Sequence, residues 1–301
     1  MKRLPRVGYL MLLPFFLAFA VFTIYPVFNT FTTSFTNDSL TSLNPAHFIG
    51  VENYQHELAS PLFWKTFYNT WAIWLPNIIL QMALALFVAA VMTNYQIRLK
   101  GKGLFRAVIF FPNIVTVTTI AILVYALFDW QSGSINQLFF GSDHNKYINW
   151  FSHGYWAQLV ISGVQTWMWF GFTAIMLISG IQSMPKDYFE AAVLDGASDS
   201  KIFFGIVLPI IRPVMVYIMI TSLIGGMNMF DLPWVLFSNT GGPDQGAMTM
   251  SVYMYSRAFT WDQNLGAGSA VAWIVFAIIG VFTLAYLRVT YGKENAEETM
   301  K

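Results

Sequence analysis

There is no cysteine among the 301 residues, and only 10% of them carry charge. The first absence excludes disulfides, thiolate metal sites and cysteine nucleophiles together. The second is far below the roughly 25% charge of an average soluble domain, too little to cover a surface facing water. Four histidines, His47, His56, His144 and His153, are widely spaced and show no i, i+4 pairing. They read as solvated loop residues, not metal ligands. A net charge of +1 gives no reason to expect nucleic acid as a partner. No G-x4-G-K-[ST] loop is present, and Gly101-Lys102-Gly103 is only a basic turn, so the chain has nothing to cradle ATP phosphates. An intramembrane enzyme would need a constellation that is missing: there is no H-E-x-x-H, no paired intramembrane carboxylates, and Ile161-Ser162-Gly163 lacks the Gly that a nucleophile turn requires. A proton- or sodium-coupled carrier would want ionisable residues inside the membrane. Asp231 is the only candidate well inside a predicted span, and it lies toward the outer end.

What the chain has is apolar length. Hydrophobic residues make up 56%, mean hydropathy is +0.54, and 28 Phe, 14 Tyr and 11 Trp suit a membrane and its interfaces. Spanning helices need about 20 apolar residues. Six stretches qualify, at about 7–28, 69–93, 104–128, 156–181, 214–237 and 266–288. The first follows Lys2, Arg3 and Arg6, as a signal peptide would, but it is too long for a signal core and no A-x-A site follows, so it reads as a retained helix. Placing the N-terminus inside puts 13 of the 16 Lys and Arg on cytoplasmic segments, among them Arg98, Lys100, Lys102, Arg106, Lys186, Lys201, Arg212, Arg288, Lys293 and Lys301. Only Lys65, Lys146 and Arg257, with all four histidines, fall outside. This asymmetry predicts an all-α, six-helix membrane protein, a single transmembrane domain with both termini in the cytoplasm. The outer loops are long, and Pro61–Asn69 has the apolar spacing of an amphipathic helix lying along the outer interface.

The inner connection at 184–213 is not a plain loop. Pro185 suits a first helical position and Asp187 the first turn of a helix. Gly196 is a helix stop able to take positive φ, and Ser198 can cap the helix that follows. The result is two helices at an angle, with Tyr188, Ala191, Ala192 and Ala197 forming a compact knob. Such an elbow can insert into a groove on a soluble partner, or it can rest on lipid headgroups.

Glu190-Ala191-Ala192, Gly196, Ile206 and Leu208-Pro209 fill every fixed position of EAA-x3-G-x9-I-x-L-P, with Asp195, Ala197 and Pro213 in keeping with it. This motif resembles the signature of the membrane (permease) subunits of bacterial binding-protein-dependent ABC importers. The likeness extends along the chain. Phe48–Tyr54 with Pro61, Phe63-Trp64 and Asn69-Thr70, then Gly133–Asn136, then Phe230-Asp231, Thr240–Pro243, Tyr253, Tyr255 and Ala258-Phe259 are similar to the outer segments of carbohydrate permeases. They resemble the core of the larger maltose-importer membrane subunit, without its extra N-terminal helices, and the six-helix oligosaccharide and glycerol-phosphate permeases.

The resemblance implies a type I ABC importer permease in the bacterial inner membrane, forming half of a pathway for a sugar or oligosaccharide; the alternative cargo is a polyol, glycerol phosphate or other small solute. It implies a second, homologous permease subunit, two ATP-binding subunits that hold ATP and Mg, and an extracellular sugar-binding protein; this chain itself would bind no cofactor. Glu190, Ala191, Ala192, Asp195, Gly196 and Ala197 would form the coupling helix gripped by an ATPase subunit. Within the fifth span, Gly225-Gly226 and Pro233 suggest a break that faces a cavity. Asn228 and Asp231 could then hydrogen-bond sugar hydroxyls, and Trp234 could stack on a pyranose; at intervals of three they share neighbouring helix faces. Asn228 could instead bond another helix, and Trp234 could anchor at the interface. Of Trp167 and Trp169 in the fourth span, at most one can face the pathway, and packing against lipid or core is the expectation for both.

Overall fold

The computed structural model describes residues 6–94 and 100–298, with side chains for 9–94 and 100–292. Lys2, Arg3, Arg98 and Lys301 of the cytoplasmic charge set lie outside the described residues, as do the side chains of Arg6 and Lys293. Fifteen helices follow in order: α1 (Arg6–Phe19), α2 (Tyr25–Thr33), α3 (Glu52–Ala59), α4 (Pro61–Thr93), α5 (Lys102–Ile114), α6 (Val117–Phe128), α7 (Ser134–Phe140), α8 (Gly154–Gln182), α9 (Asp187–Leu194), α10 (Asp199–Ile202), α11 (Leu208–Ile210), α12 (Arg212–Met227), α13 (Asp231–Phe237), α14 (Met250–Tyr255) and α15 (Leu265–Glu298). Short π-helical turns at Ala20–Ile24, Phe203–Val207 and Ser256–Thr260 join α1 to α2, link α10 to α11, and extend α14. Among the described residues the only β pairing is two isolated bridges, Thr36 with Phe48 and Ser39 with Asn264.

Five helical stretches are long and apolar enough to cross a membrane: Tyr9–Thr33, Pro61–Thr93, Gly154–Gln182, Arg212–Thr240 and Leu265–Gly292. A sixth consists of α5 and α6 with a 91° bend between them. The chain is therefore an all-α protein with up to six spans, at the six places the hydropathy indicated. Two sequence expectations need correction. The third span is not one helix: Val115 is extended (φ −72°, ψ 139°) and Thr116 starts α6 as its N-cap, accepting from the Thr119 amide. The cause is a β-branched run, Ile114 to Thr119, with low helix propensity and a threonine able to cap. Nor is Pro61–Asn69 a separate interfacial helix. It forms the first turns of α4, whose 33 residues reach about 50 Å, well beyond the roughly 30 Å of hydrocarbon. No Gly or cap separates Asn69 from Thr70, so the helix runs on.

The chain divides into two compact units, Met1–Trp64 with Tyr253–Ile278, and Lys65–Val252 with Ile279–Lys301. In the first, the Phe31 ring packs edge-on against Trp273 at 4.8 Å. Asn53 donates to the carbonyls of Ser34 and Thr36, and the Tyr54 hydroxyl meets Ser34 Oγ at 2.7 Å. The Glu57 carboxylate is fully buried. Arg257 donates to its Oε1 through Nη2 (2.7 Å) and Nε (3.0 Å), and the Tyr253 hydroxyl donates to Oε2 at 2.5 Å. Arg257 also pairs with Asp262 at the rim. Burial, reinforced by the Glu57 carboxylate, pushes the Tyr253 hydroxyl up to about 12. By contrast, none of the residues in the most apolar stretch of the first span is buried within its own chain.

In the second unit, helix contacts rest on small residues, as expected where lipid tails remove the hydrophobic drive between helices. A Cβ on Gly171 would lie 1.8 Å from the Ile109 carbonyl oxygen, so only glycine lets α8 meet α5 there. A Cβ on Gly226 would lie 2.0 Å from Trp74 Cδ1. Gly226 is therefore a packing glycine within α12, and the helix ends one residue beyond it, at Met227. The outer turn after α6 is held by Asp129, whose Oδ1 accepts from the Ser132 amide and hydroxyl and the Gln131 amide. The bonds from Ser132 hold that carboxyl below the usual carboxylate range. Asn136, fully buried, ties the same loop together: it donates to the carbonyls of Trp130 and Ile148 and accepts from the Ile148 amide and Trp150 Nε1.

Candidate coupling segment and transport cavity

The elbow is built as its sequence indicated, with shifts of a residue or two. α9 begins at Asp187, with Lys186 at its N-cap, so Pro185 precedes the helix instead of opening it. Asp187 and Glu190 fall in the first turn, where carboxylates oppose the exposed N–H groups favourably. Gly196 has φ +75°. Its amide donates to the Val193 carbonyl and the Ala197 amide donates to the Ala192 carbonyl, each at 3.0 Å. This paired 5→2 and 6→1 arrangement is a Schellman stop, which needs a left-handed residue at the position Gly196 holds. Ser198 occupies the N-cap of α10 in extended backbone, without a side-chain capping bond.

What makes the elbow rigid is its underside. Phe189 and Ala192 of α9, with Ile202, Val207 and Ile211, join a buried cluster with Ala85, Ala89 and Met92 of α4 and Ile178, Ile181 and Met184 around the end of α8. Asn94 adds a 2.9 Å bond to the Asp199 carboxylate. Of the six motif positions, Glu190, Ala191, Asp195 and Gly196 are exposed, Ala197 is half-buried on the cluster, and Ala192 is buried. Ala192 thus anchors the helix and the other face is presented outward, together with Tyr188 and Leu194, which is 88% exposed.

In the same unit a cavity of about 410 Å³ is lined by α4, α8, α12, the connection at 228–230, and the first residues of α6 and α13. Asn228 and Asp231 both lie on its wall, beside Gln165, Trp169, Tyr217 and Phe230. The break expected in this span occurs where α12 ends at Met227 and α13 begins at Asp231. Asn228 closes α12, returning its side-chain amide to the Ile224 carbonyl at 2.8 Å. Trp234 is not on the wall. Its ring stacks on Phe230 at 5.2 Å. Intervals of three share neighbouring faces only in continuous helix, and here α12 ends at Met227 and α13 begins at Asp231.

Trp169, expected among packing residues, is on the cavity wall, and Trp167 is not. Its indole N–H donates to Gln165 Oε1 at 3.1 Å, and its ring meets Phe172 at right angles. Beyond Asn228, neutral polar residues that the sequence did not single out, Asn77, Gln81 and Thr173, also line the wall. Gln81 donates to Thr173 Oγ1 at 2.7 Å, and Asn77 accepts at Oδ1 from the buried Thr166 hydroxyl behind the wall at 3.2 Å. Asn77 and Gln81 stand one turn apart on α4, Thr166 and Thr173 two turns apart on α8. Amide and hydroxyl residues at such spacing inside apolar runs were the available signal.

Spanning helices around a polar-lined cavity, joined by an outward-presented elbow with the EAA pattern, define the membrane subunit of a transporter. The chain belongs to the family of binding-protein-dependent transport system inner membrane components, whose model matches residues 81–291. It is 31% identical to the trehalose/maltose transport system permease protein MalF of Thermococcus litoralis, over 94% of this chain and 93% of that one. It is also 31% identical to the sulfoquinovosyl glycerol transport system permease protein SmoG of Agrobacterium fabrum, over 87% of this chain and 83% of that protein. In fold it is similar to a chain of the crystal structure of a bacterial alginate ABC transporter in complex with its alginate pentasaccharide-bound periplasmic protein, with a TM-score of 0.77, 19% identity, and coverage of 94% and 93% of the two chains.

Proposed function

We propose that this chain forms one half of the translocation pathway of an ATP-driven importer for a neutral sugar or oligosaccharide. The observation that carries this reading is the cavity wall: amides and hydroxyls for hydroxyl groups, aromatic faces for sugar rings, and no Lys, Arg or His among its described lining residues. The last feature, with the Asp231 carboxylate on the same wall, disfavours the glycerol phosphate alternative, since a phosphate dianion calls for cationic partners. Asn228 and Asp231 contact sugar hydroxyls in this reading. Stacking falls to Trp169 and Phe230, with Trp234 backing Phe230 from behind. The names of the permease relatives, which transport trehalose/maltose, lactose and arabinooligosaccharides, are in keeping with a saccharide.

Energy comes from partners. Two ATP-binding subunits holding ATP and Mg dock below, one on the face formed by Glu190, Ala191, Asp195 and Gly196 and the other on the matching elbow of a second, homologous permease subunit. An external sugar-binding protein delivers cargo to the outer side. Closure of the ATPase pair moves the elbow as one body with α4 and α8, because Phe189 and Ala192 are packed into those helices. Hydrolysis resets the pathway. The test is uptake of labelled saccharides by the assembled importer in proteoliposomes. Asn228→Ala is expected to change rate or preference among sugars while assembly is retained. Unchanged kinetics across a sugar panel would reject the assigned wall, and uptake of amino acids or peptides alone would reject the cargo class.

A further inference from the structure

Between the short helical turn at Pro243–Gln245 and the start of α14 the chain is non-helical, yet Ala247, Met248 and Thr249 are fully buried. Buried backbone groups need partners, and here side chains of the spans supply them. Asn69 of α4 donates to the carbonyls of Gln245 (2.8 Å) and Met248 (3.1 Å). Gln158 of α8 donates to the Gly246 carbonyl and to Asn69 Oδ1, each at 3.0 Å. Thr70 Oγ1 accepts from the Met250 amide at 3.0 Å. A Cβ on Gly246 would lie 2.3 Å from Gly154 Cα, so this strap meets α8 backbone to backbone. The strap is thereby fixed to α4 and α8.

The same strap meets the interruption between α12 and α13, where the helical ladder fails for two reasons. Pro233 has no N–H, so the Met229 carbonyl has no donor four residues on. Met227 ends α12, and the last carbonyls of a helix have no partner within it. Thr249 Oγ1 donates to the Met229 carbonyl at 2.6 Å, and Ser251 Oγ donates to the Met227 carbonyl at 3.2 Å. Both side chains are buried. The Thr249 hydroxyl also accepts from the Val252 amide at 3.3 Å, as an N-cap does. Two hydroxyls from one strap therefore grip the backbone on either side of Asn228. We infer that Thr249 and Ser251 are positioning residues for the sugar wall: by holding the Met227 and Met229 carbonyls they set where Asn228 and Asp231 face the cavity. The inference rests on the reading above of that cavity as a saccharide pathway. Valine at 249 keeps the shape of threonine but leaves the Met229 carbonyl buried without this donor, so the chain beside Asn228 must move to find another.

The test uses the assembled importer in proteoliposomes with the same external binding protein throughout. It reads uptake per assembled complex of two labelled saccharides that the wild type transports and that differ at one hydroxyl. Thr249→Val is expected to shift the ratio of the two rates about fivefold, as for the loss of one hydrogen bond to a sugar hydroxyl. Ser251→Ala, which removes the longer bond, shifts it the same way by less. Thr249→Ser keeps both bonds and restores the wild-type ratio. A ratio unchanged in both Thr249→Val and Ser251→Ala overturns the inference, even where the complex melts earlier, because a purely structural role lowers stability without changing which sugar fits. A ratio shifted as far by Thr249→Ser as by Thr249→Val overturns it too. Where Thr249→Val does not assemble, the Ser251→Ala ratio decides. A wild-type importer that takes up no saccharide defeats the reading of the cavity itself, which separates the two failures.

Discussion

Gly196 allows a graded experiment because its requirement is conformational and not steric. Its φ is +75°, and a Cβ built there meets nothing within 4 Å. Gly196→Ala therefore incurs only the left-handed backbone penalty, about 1–2 kcal/mol. Gly196→Asn should cost less, since asparagine visits that region readily. Gly196→Pro is of another kind. Proline fixes φ near −65°, about 140° away, and removes the amide that donates to Val193. With the stop dismantled, the Ala197–Ala192 bond goes too, and the expected loss is about 3 kcal/mol or more, matching the proline penalty in a helix. The assay is ATPase activity of the assembled complex stimulated by loaded binding protein, beside a thermal melt of the complex. Asn and Ala variants should retain stimulation, Ala with a slightly lower melting temperature. The Pro variant should lose stimulation while the binding protein still binds its ligand. A Pro variant coupled like wild type, or an Ala variant as damaged as Pro, would refute the Schellman account of the elbow.

Three further outcomes follow. Gly171→Ala drives a methyl into the Ile109 carbonyl and should destabilise the complex by about 1–3 kcal/mol as an overpacked contact, read as a lower melting temperature and poorer assembly. Asn136→Ala removes four hydrogen bonds from a buried loop centre and should cost about 2–4 kcal/mol, with thermal melting as the check. Tyr253 has its hydroxyl pushed up to about 12, so the folded state favours the protonated form. Its contribution is fully present below about 10, the ordinary tyrosine value, and is lost as pH rises through 10 to 12; melts across that range should fall more steeply for wild type than for Tyr253→Phe.

Much of this was readable from the residues. Runs of apolar side chains with thirteen cations on one side left little freedom for topology, and the Gly196 stop needs a glycine for a reason that local sequence states by itself. The fine course of the spans was less accessible. The bend at Val115-Thr116 sits in a run that hydropathy treats as uninterrupted, and only capping by Thr116 separates two helices there. Trp234 falls off this cavity's wall because helical spacing does not carry across the interruption after Met227. The lining by Trp169 depends on which face of α8 looks away from α5, a matter of tertiary packing around Gly171. The neutral pairs Gln81–Thr173 and Asn77–Thr166 are long-range, so each partner looked ordinary alone. The Glu57–Arg257 knot joins residues 200 positions apart, and nothing local to either announces it.

Because the chain has no cysteine, a thiol introduced by Ala191→Cys would be unique in it. Attaching a short photo-cross-linker there, in the assembled importer in its membrane, reports what grips α9. The account predicts capture of the ATP-hydrolysing subunit, with a yield that changes when ATP is added. Capture of lipid alone, or labelling of that thiol by an impermeant reagent from outside the cell, would contradict it.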